Sequence, residues 1–153
     1  MSVLRRVAGI ATGVAMTALT AAGAVAQTVQ ACDWRSNPAF IVEPWENHTK
    51  AFANGAIRVA HLDTHGEPVC CSTHLMILVP HPEYGRSCYT ISDPNQTGWT
   101  WMEFSQLTAR YDPGRGLIVS VPVAYYTDGS SSIWRTLDAT INQAQGTVTA
   151  TIR

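Results

Sequence analysis

Apolar and polar positions alternate most regularly in the C-terminal third of the chain. In the run TLDATIN, Leu137, Ala139 and Ile141 alternate with polar side chains, and the run TVTATIR that follows AQG alternates in the same way. A period of two places one set of side chains on the buried face of a sheet and the other set in water. The pattern predicts an amphipathic β-hairpin at the end of the chain.

Further pairs of short apolar runs precede this hairpin. LTARYDPGRGLIVSVPVAYY holds two β-rich runs joined by the turn-forming DPGRG, which predicts a second hairpin. Pro122 has no N–H to donate to a sheet, so we expect it at an edge or a bulge. STHLMILVP is apolar on both faces and predicts a central strand, with SCYTISD as its partner. Asn54-Gly55 is a turn signal, and the β-rich run after it ends at Asp63.

One segment has helical rather than strand spacing. In TWMEFSQLTAR, the residues Trp101, Phe104, Leu107 and Thr108 are spaced as on one face of a helix, which predicts a short helix. No segment predicts a long helix, and no internal repeat is present. We therefore expect an all-β fold, or a mostly β fold with one short helix. It would be a small antiparallel sandwich or barrel of about seven to eight strands, stabilised by disulfides.

The N-terminus has the pattern of a secretory signal peptide. Arg5 and Arg6 precede an apolar run of small residues, and Ala24-Val25-Ala26 fits the A-x-A cleavage pattern. We predict a signal peptide over residues 1–26 and a single exported β domain over residues 27–153, with no stable membrane anchor after cleavage. This signal peptide predicts a periplasmic or secreted location. The domain uses arginine almost to the exclusion of lysine, which is typical of a GC-rich bacterial genome.

All four cysteines lie in the predicted exported domain, where an oxidising compartment favours disulfides. Cys70 and Cys71 are neighbours, and a bond between adjacent residues requires strained geometry. We therefore expect Cys32 and Cys88 each to pair with one of the two, in an order that the spacing leaves open. A redox role for the adjacent pair is disfavoured, because thioredoxin-like chemistry needs two residues between the cysteines.

Charge and motifs exclude several classes of function. The chain has ten basic and eleven acidic residues, and two of the arginines lie in the predicted signal peptide, so a basic surface for nucleic acid is not expected. Neither GxxxxGK nor GxGxxG occurs, which argues against a nucleotide cofactor. No G-x-S-x-G elbow is present. We expect no cofactor, no catalytic residue and no enzymatic activity, although an unrecognised cleft enzyme stays open.

The stretch HLDTHGEPVCCSTH combines three histidines with two carboxylates and two cysteines. If the flanking runs pair in a symmetric register, His61 lies opposite His74 and shares a metal ion with His65 or Glu67 from the loop. Imidazole and carboxylate ligands suit zinc or copper. Without HExxH or paired CxxC spacing, we favour a disulfide-anchored turn and expect no metal, with a zinc or copper site as the alternative.

Five tryptophans are the remaining candidates for binding. Trp99 and Trp101 share a face if GWTWM is extended, and such a pair forms a stacking platform for a sugar or another flat ligand. Core packing is the reading we favour for the tryptophans. The leading hypothesis for function is a non-enzymatic periplasmic or secreted binding or structural module. The alternative is a metal-binding protein that uses His61, His65 and His74.

Overall fold

The computed structural model describes residues 24–66, 70–127 and 131–153, and this part of the chain is mostly β. Within these ranges, eleven strands form two antiparallel sheets, and the one α-helix, α1 (Trp45–His48), is a single turn. The strands are β1 (Val25–Ala26), β2 (Thr28–Ala31), β3 (Thr49–Phe52), β4 (Ile57–Asp63), β5 (Thr73–His81), β6 (Gly85–Ser92), β7 (Trp101–Met102), β8 (Thr108–Asp112), β9 (Gly116–Thr127), β10 (Ser131–Asn142) and β11 (Thr147–Ile152).

The two sheets pack face to face as a sandwich. Sheet A has the order β1-β11-β10-β9-β7, with β8 also paired to β9, and sheet B has the order β2-β6-β5-β4-β3. Alternate residues of both sheets form one hydrophobic core, in which Ile77 of sheet B and Val121 of sheet A are fully buried. The prediction of a disulfide-stabilised antiparallel β domain is confirmed, and the two separate sheets make it a sandwich rather than a barrel.

The elements with the clearest patterns lie where the sequence predicts them. The C-terminal hairpin is β10 and β11, the second hairpin is β8 and β9, and β5 is the central strand of sheet B. The turn at Asn54-Gly55 joins β3 to β4. The strands beyond the seven or eight expected are edge strands of two to four residues, which are too short to show an alternating pattern.

The helix predicted between Trp101 and Thr108 is wrong. Residues 101–102 pair with β9, a single 3-10 turn covers Phe104–Gln106, and β8 begins at Thr108. Met102, Phe104 and Leu107 are all buried in the core. Of the four residues at helical spacing, Phe104 and Leu107 enter the core at separate turns of the chain, whereas Trp101 and Thr108 are exposed.

Pro122 lies inside a long central strand rather than at an edge. It lies opposite Thr136 of β10. The backbone N–H and C=O of Thr136 both bond to Arg153, on the side of β10 that faces away from β9. Because Thr136 uses neither group toward β9, the missing N–H of Pro122 costs no hydrogen bond to β10. On its other side the neighbouring strand is interrupted between β7 and β8, and only Glu103 donates to the Pro122 carbonyl, at 3.0 Å. Pro122 is therefore tolerated in a central strand, because, among the described residues, no strand lies beside it at the position where its N–H is missing.

The disulfide pairing differs from the prediction. Cys32 bonds to Cys88, with Cα atoms 5.3 Å apart, and Cys70 bonds to its neighbour Cys71. Strands β2 and β6 pair up to Ala31 and Tyr89, and one further step of the same register puts Cys32 opposite Cys88, where its N–H donates to the Cys88 carbonyl at 3.0 Å. This register leaves Cys70 and Cys71 with only each other.

The predicted signal peptide lies largely outside the described residues. Val25 and Ala26 form β1 against the end of β11, and the Gln27 N–H donates to the Ala150 carbonyl at 3.0 Å. Among the described residues, no helix has the length and apolar character needed to cross a membrane. Cleavage after Ala26 and export stay predictions.

Candidate functional site

The three histidines of the HLDTHGEPVCCSTH stretch do not converge. In the pairing of β4 with β5, Leu62 lies opposite His74 and His61 lies opposite Leu75. This is one residue away from the symmetric register, and a one-residue shift moves a side chain to the other face of the sheet. His61 therefore lies on the inner face of sheet B and His74 on the outer face. The expected arrangement of His61 opposite His74 is wrong.

The remaining parts of that stretch offer no metal cluster either. His65 lies in the following loop with a φ of 54°, and its ring centroid is 6.0 Å from that of Phe40. Glu67 lies outside the described residues. Within the part of the chain that the structure describes, no group of three or more histidine, cysteine, aspartate or glutamate side chains is placed to hold a metal ion.

His74 is a structural residue. It is 1% exposed, its Nδ1 lies 2.7 Å from the Ser92 hydroxyl, and a Cβ on Gly98 would come within 2.9 Å of its ring. Burial lowers the pKa of His74 to about 4, and the positive charge of Arg35 contributes to the shift. The ring is therefore neutral at pH 7 and supports the fold in that form.

We expect the low pKa of His74 to make folding pH-dependent. The folded pKa is about 4 and the ordinary value is 6.5, so between these values the unfolded chain binds more protons and stability falls as the pH falls. From pH 7.5 to pH 5 the loss from His74 is about 2 kcal/mol. Urea unfolding of the wild type and a His74→Asn variant at both pH values measures it. Equal pH-dependent losses in the two proteins would contradict the prediction.

His48 and His61 form a pair on the inner side of the sandwich. Helix α1 ends at His48, and β4 directs His61 to the inner face, so that their Nδ1 atoms lie 3.1 Å apart. Phe104 lies beside both rings, with its centroid 5.8 Å from that of His61 at an interplanar angle of 16°. At this distance one Nδ1 donates a hydrogen bond to the other, and the packed phenyl ring fixes their orientation.

His61 has an unused hydrogen-bonding atom. The residue is 6% exposed, and its Nε2 is a buried nitrogen with no hydrogen-bond partner among the described residues. Burial, and after it the neighbouring His48, lower the pKa of His61 to about 4, although Asp63 and Glu103 act in the opposite direction. A neutral imidazole has one donor and one acceptor, and Nδ1 is used by His48. Nε2 keeps one unused hydrogen-bonding capacity.

Carboxylates outnumber cations around the pair. Asp63 and Glu103 act on His61, and the Glu103 carboxylate accepts a hydrogen bond from the Ser105 hydroxyl. Burial raises the pKa of Asp63, but hydrogen bonds from Ser72 and the His65 N–H lower it more, so its net shift is downward. The Lys50 ammonium donates to the Leu107 carbonyl at 3.2 Å. The net charge of these groups is negative.

These groups line an open cleft of about 700 Å³. It lies at one side of the sandwich. Helix α1 and the end of β4 form one wall, and the segment from β7 of sheet A to Ser105 forms the other. We name it the His48–His61 cleft. Its charged, imidazole and indole side chains are Glu46, His48, Lys50, His61, Asp63, Trp101 and Glu103.

A second concavity lies on the outer face of sheet B. It measures about 510 Å³ and is lined mainly by aliphatic side chains, including Ala60, Met76 and Leu78. Arg58 contributes a charge at its border. The His48–His61 cleft is the better candidate because it combines a buried unpaired nitrogen with carboxylates and an aromatic side chain, which fix the orientation of a ligand.

The tryptophans divide between core and surface. Trp99 is fully buried in the core, as expected, whereas Trp101 is 57% exposed. The chain bends at Thr100, so the two rings do not share a face and the predicted Trp99–Trp101 platform is not formed. Trp34, Trp45 and Trp134 are also exposed, so core packing is wrong for four of the five.

Sequence reasoning missed His48 as a site residue. It precedes His61 by 13 positions on a different element, and no spacing pattern connects a one-turn helix to the middle of a strand. Glu103 is one of eleven acidic residues, and no motif or spacing distinguishes it from the others. Comparison of the chain with protein-family models, with curated proteins and with solved structures gives no match.

Proposed function

We propose that this chain is an exported, non-enzymatic binding domain whose ligand occupies the His48–His61 cleft. The signal-like N-terminus and the Cys32–Cys88 disulfide support a periplasmic or secreted location, because disulfides persist in oxidising compartments. A disulfide-braced sandwich offers a rigid frame for such a cleft. No nucleic-acid partner is proposed, because acidic residues dominate the cleft.

The observation that carries the proposal is the unpaired Nε2 of His61. A buried polar atom without a partner costs about 1–3 kcal/mol, so a group that hydrogen-bonds to this nitrogen would be stabilised there. A ligand hydroxyl would satisfy this nitrogen in either tautomer once the cleft lining moves enough to expose it, because a hydroxyl both donates and accepts. The surrounding carboxylates accept from further hydroxyls and repel anions. A neutral, hydroxylated ligand fits the cleft best.

The contact between Ser92 and His74 is buried, and this favours binding over catalysis. Ser92 and His74 are hydrogen-bonded, as a nucleophile and a base would be, but they are 0% and 1% exposed. No substrate reaches them without unfolding. His48 and His61 bond to each other, which leaves neither Nδ1 free to activate a nucleophile.

We expect neutral sugars and polyols to shift the imidazole signals of His61 and His48. The test is nitrogen-15 NMR of histidine-labelled protein at pH 7, titrated with D-glucose, D-mannose, N-acetylglucosamine and myo-inositol, and separately with sodium acetate. A saturable shift of the His61 Nε2 signal by a neutral probe and none by acetate is expected. A His61→Phe variant keeps the stacking on Phe104 and should bind at least tenfold more weakly.

Two controls make this titration decisive. His81 lies in the β5–β6 hairpin, outside the cleft lining, and its signal should not move. Unchanged His61 and His48 signals with every neutral probe would overturn the proposal, as would equal binding by the His61→Phe variant. A shift by acetate alone would also overturn it.

A second candidate function is binding of zinc or copper between His48 and His61. The specific observation is the 3.1 Å separation of their Nδ1 atoms, which suits two ligands of one ion at about 2.0–2.1 Å each. This set replaces His61, His65 and His74 of the sequence prediction. Zinc chloride in the same NMR titration tests it. Loss of the Nδ1–Nδ1 hydrogen bond at one equivalent of zinc would favour it over the sugar ligand.

A further inference from the structure

The outer face of sheet A carries aromatic side chains in register. Trp101 of β7 pairs with Ala124 of β9, and Ala124 pairs with Trp134 of β10. Directly paired residues share a face, so both tryptophans stand on the same outer face with a small residue between them. Tyr126 lies two residues beyond Ala124 on β9 and therefore belongs to the same face. We name Trp101, Tyr126 and Trp134 the aromatic platform.

The platform is open to solvent although it is apolar. Trp101 is 57% exposed, Trp134 48% and Tyr126 42%, whereas Ala124 between the two tryptophans is 1% exposed. Neighbouring strands are about 4.8 Å apart, so the two tryptophan backbones are separated by about 10 Å across the sheet. That span is comparable with the length of two pyranose units of a saccharide chain.

Hydroxyl groups border the platform. Ser132 pairs with Tyr126, and Thr136 follows Trp134 on the same face of β10. The nearest acid on this face of β10, Asp138, is already paired with Arg153 at 2.7 Å and accepts from the Ser120 hydroxyl at 2.6 Å. The Arg135 guanidinium donates to the Trp134 carbonyl at 2.9 Å and is the cation beside the platform. A neutral ligand with hydroxyls finds both stacking faces and hydrogen-bonding partners here, and dextran sulfate in the test below shows whether this cation recruits an anion instead.

We infer that the aromatic platform binds a neutral oligosaccharide chain, which runs across the strands of sheet A and reaches the His48–His61 cleft at its end. The sugar unit at that end of the chain would occupy the cleft, and for this unit the inference rests on the proposed function. Trp101 belongs to both surfaces, since it also lines the cleft. The C–H groups on the face of a pyranose ring carry partial positive charge and lie against the negative face of an aromatic ring.

A protein partner fits the platform less well. Stable protein interfaces bury about 800 Å² on each side around a desolvated apolar centre. Three aromatic side chains interrupted by Ser132 and Thr136 form a narrow strip rather than a patch of that kind. Separated aromatic rings in a strip can each stack on one sugar ring of an oligosaccharide.

The test is isothermal titration calorimetry with hexasaccharides of neutral sugars. The probes are cellohexaose, laminarihexaose, maltohexaose, mannohexaose, xylohexaose and chitohexaose, with dextran sulfate as the charged comparison. We expect binding of at least one neutral hexasaccharide, and an affinity at least tenfold lower in Trp101→Ala and in Trp134→Ala. Both side chains are about half exposed, so the two variants should keep the melting temperature of the wild type.

A matched control is available on the opposite side of the molecule. Trp34 is 65% exposed, follows Cys32 beside sheet B, and lies outside the platform, so Trp34→Ala should bind within twofold of the wild type. Binding of none of the neutral hexasaccharides, or of dextran sulfate alone, would overturn the inference. So would equal loss of affinity in the Trp34→Ala variant.

The cleft and the platform can fail separately in these experiments. If Trp134→Ala binds the hexasaccharide like the wild type while His61→Phe does not, the platform is wrong and the cleft stands. If monosaccharides leave His61 unshifted while Trp101→Ala and Trp134→Ala abolish hexasaccharide binding, the cleft is wrong and the platform carries binding alone.

Discussion

Removing the Cys32–Cys88 disulfide is expected to lower the free energy of unfolding by about 4 kcal/mol. The bond joins residues separated by 56 positions, and a crosslink of that length removes much of the entropy of the unfolded chain. It also holds the segment that follows β2 against β6. Urea unfolding of a Cys32→Ala, Cys88→Ala double variant, with the wild type under non-reducing conditions, measures the loss.

The adjacent cysteines provide the matched control. A bond between Cys70 and Cys71 closes almost no loop, so Cys70→Ala, Cys71→Ala should cost less than about 1 kcal/mol. Crossed pairing of Cys32 and Cys88 with these two would instead make both double variants costly. The pairing is also read from a non-reduced tryptic digest. Peptide 87–110 should be linked to the peptide ending at residue 35, and peptide 59–86 should be two hydrogens lighter than its reduced form.

Replacing Gly116 with alanine is expected to destabilise the fold by about 3 kcal/mol. Gly116 opens β9 with a φ of 105°, a conformation that costs an L-residue about 1–2 kcal/mol. An added Cβ would also overlap the carbonyl oxygen of Ile141 in the neighbouring β10. Because that oxygen belongs to backbone inside the sheet, it moves only if the strand moves. Thermal and urea unfolding of the variant measure the effect.

A variant at Gly55 separates the backbone strain from the steric overlap. It also has a positive φ, of 83°, but no atom lies within 4 Å of an added Cβ. Gly55→Ala should therefore show the backbone strain alone, about 1 kcal/mol. Equal losses in the two glycine variants would contradict a close contact between Gly116 and the Ile141 carbonyl.

Much of the fold follows from local patterns. In β10 and β11 the alternation of side chains places Leu137 and Ala139 in the core, and the prediction needs no knowledge of the other sheet. The prediction failed for Trp101 to Leu107, where buried residues come from turns into the core and mimic helical spacing. It also failed for Pro122, whose surroundings depend on an interruption in the neighbouring strand.

The candidate site was less accessible to sequence reasoning than the fold. His61 was selected for its neighbours in the chain, His65 and His74, but its actual partner is His48 from helix α1. A register difference of one residue separated His61 from His74. Such a difference leaves the alternating pattern of each strand unchanged, so the pattern carries no information about which side chains meet across the sheet.

The sequence by itself determined that the chain forms short antiparallel strands, because side-chain alternation and turn residues act locally. It also determined that the cysteines favour disulfides if the N-terminus directs export. Only the tertiary structure decided that Cys32 meets Cys88, that His48 meets His61, and that Trp101 aligns with Trp134. Those contacts depend on strand register and on the order of strands in each sheet, which are set by the packing of the whole core.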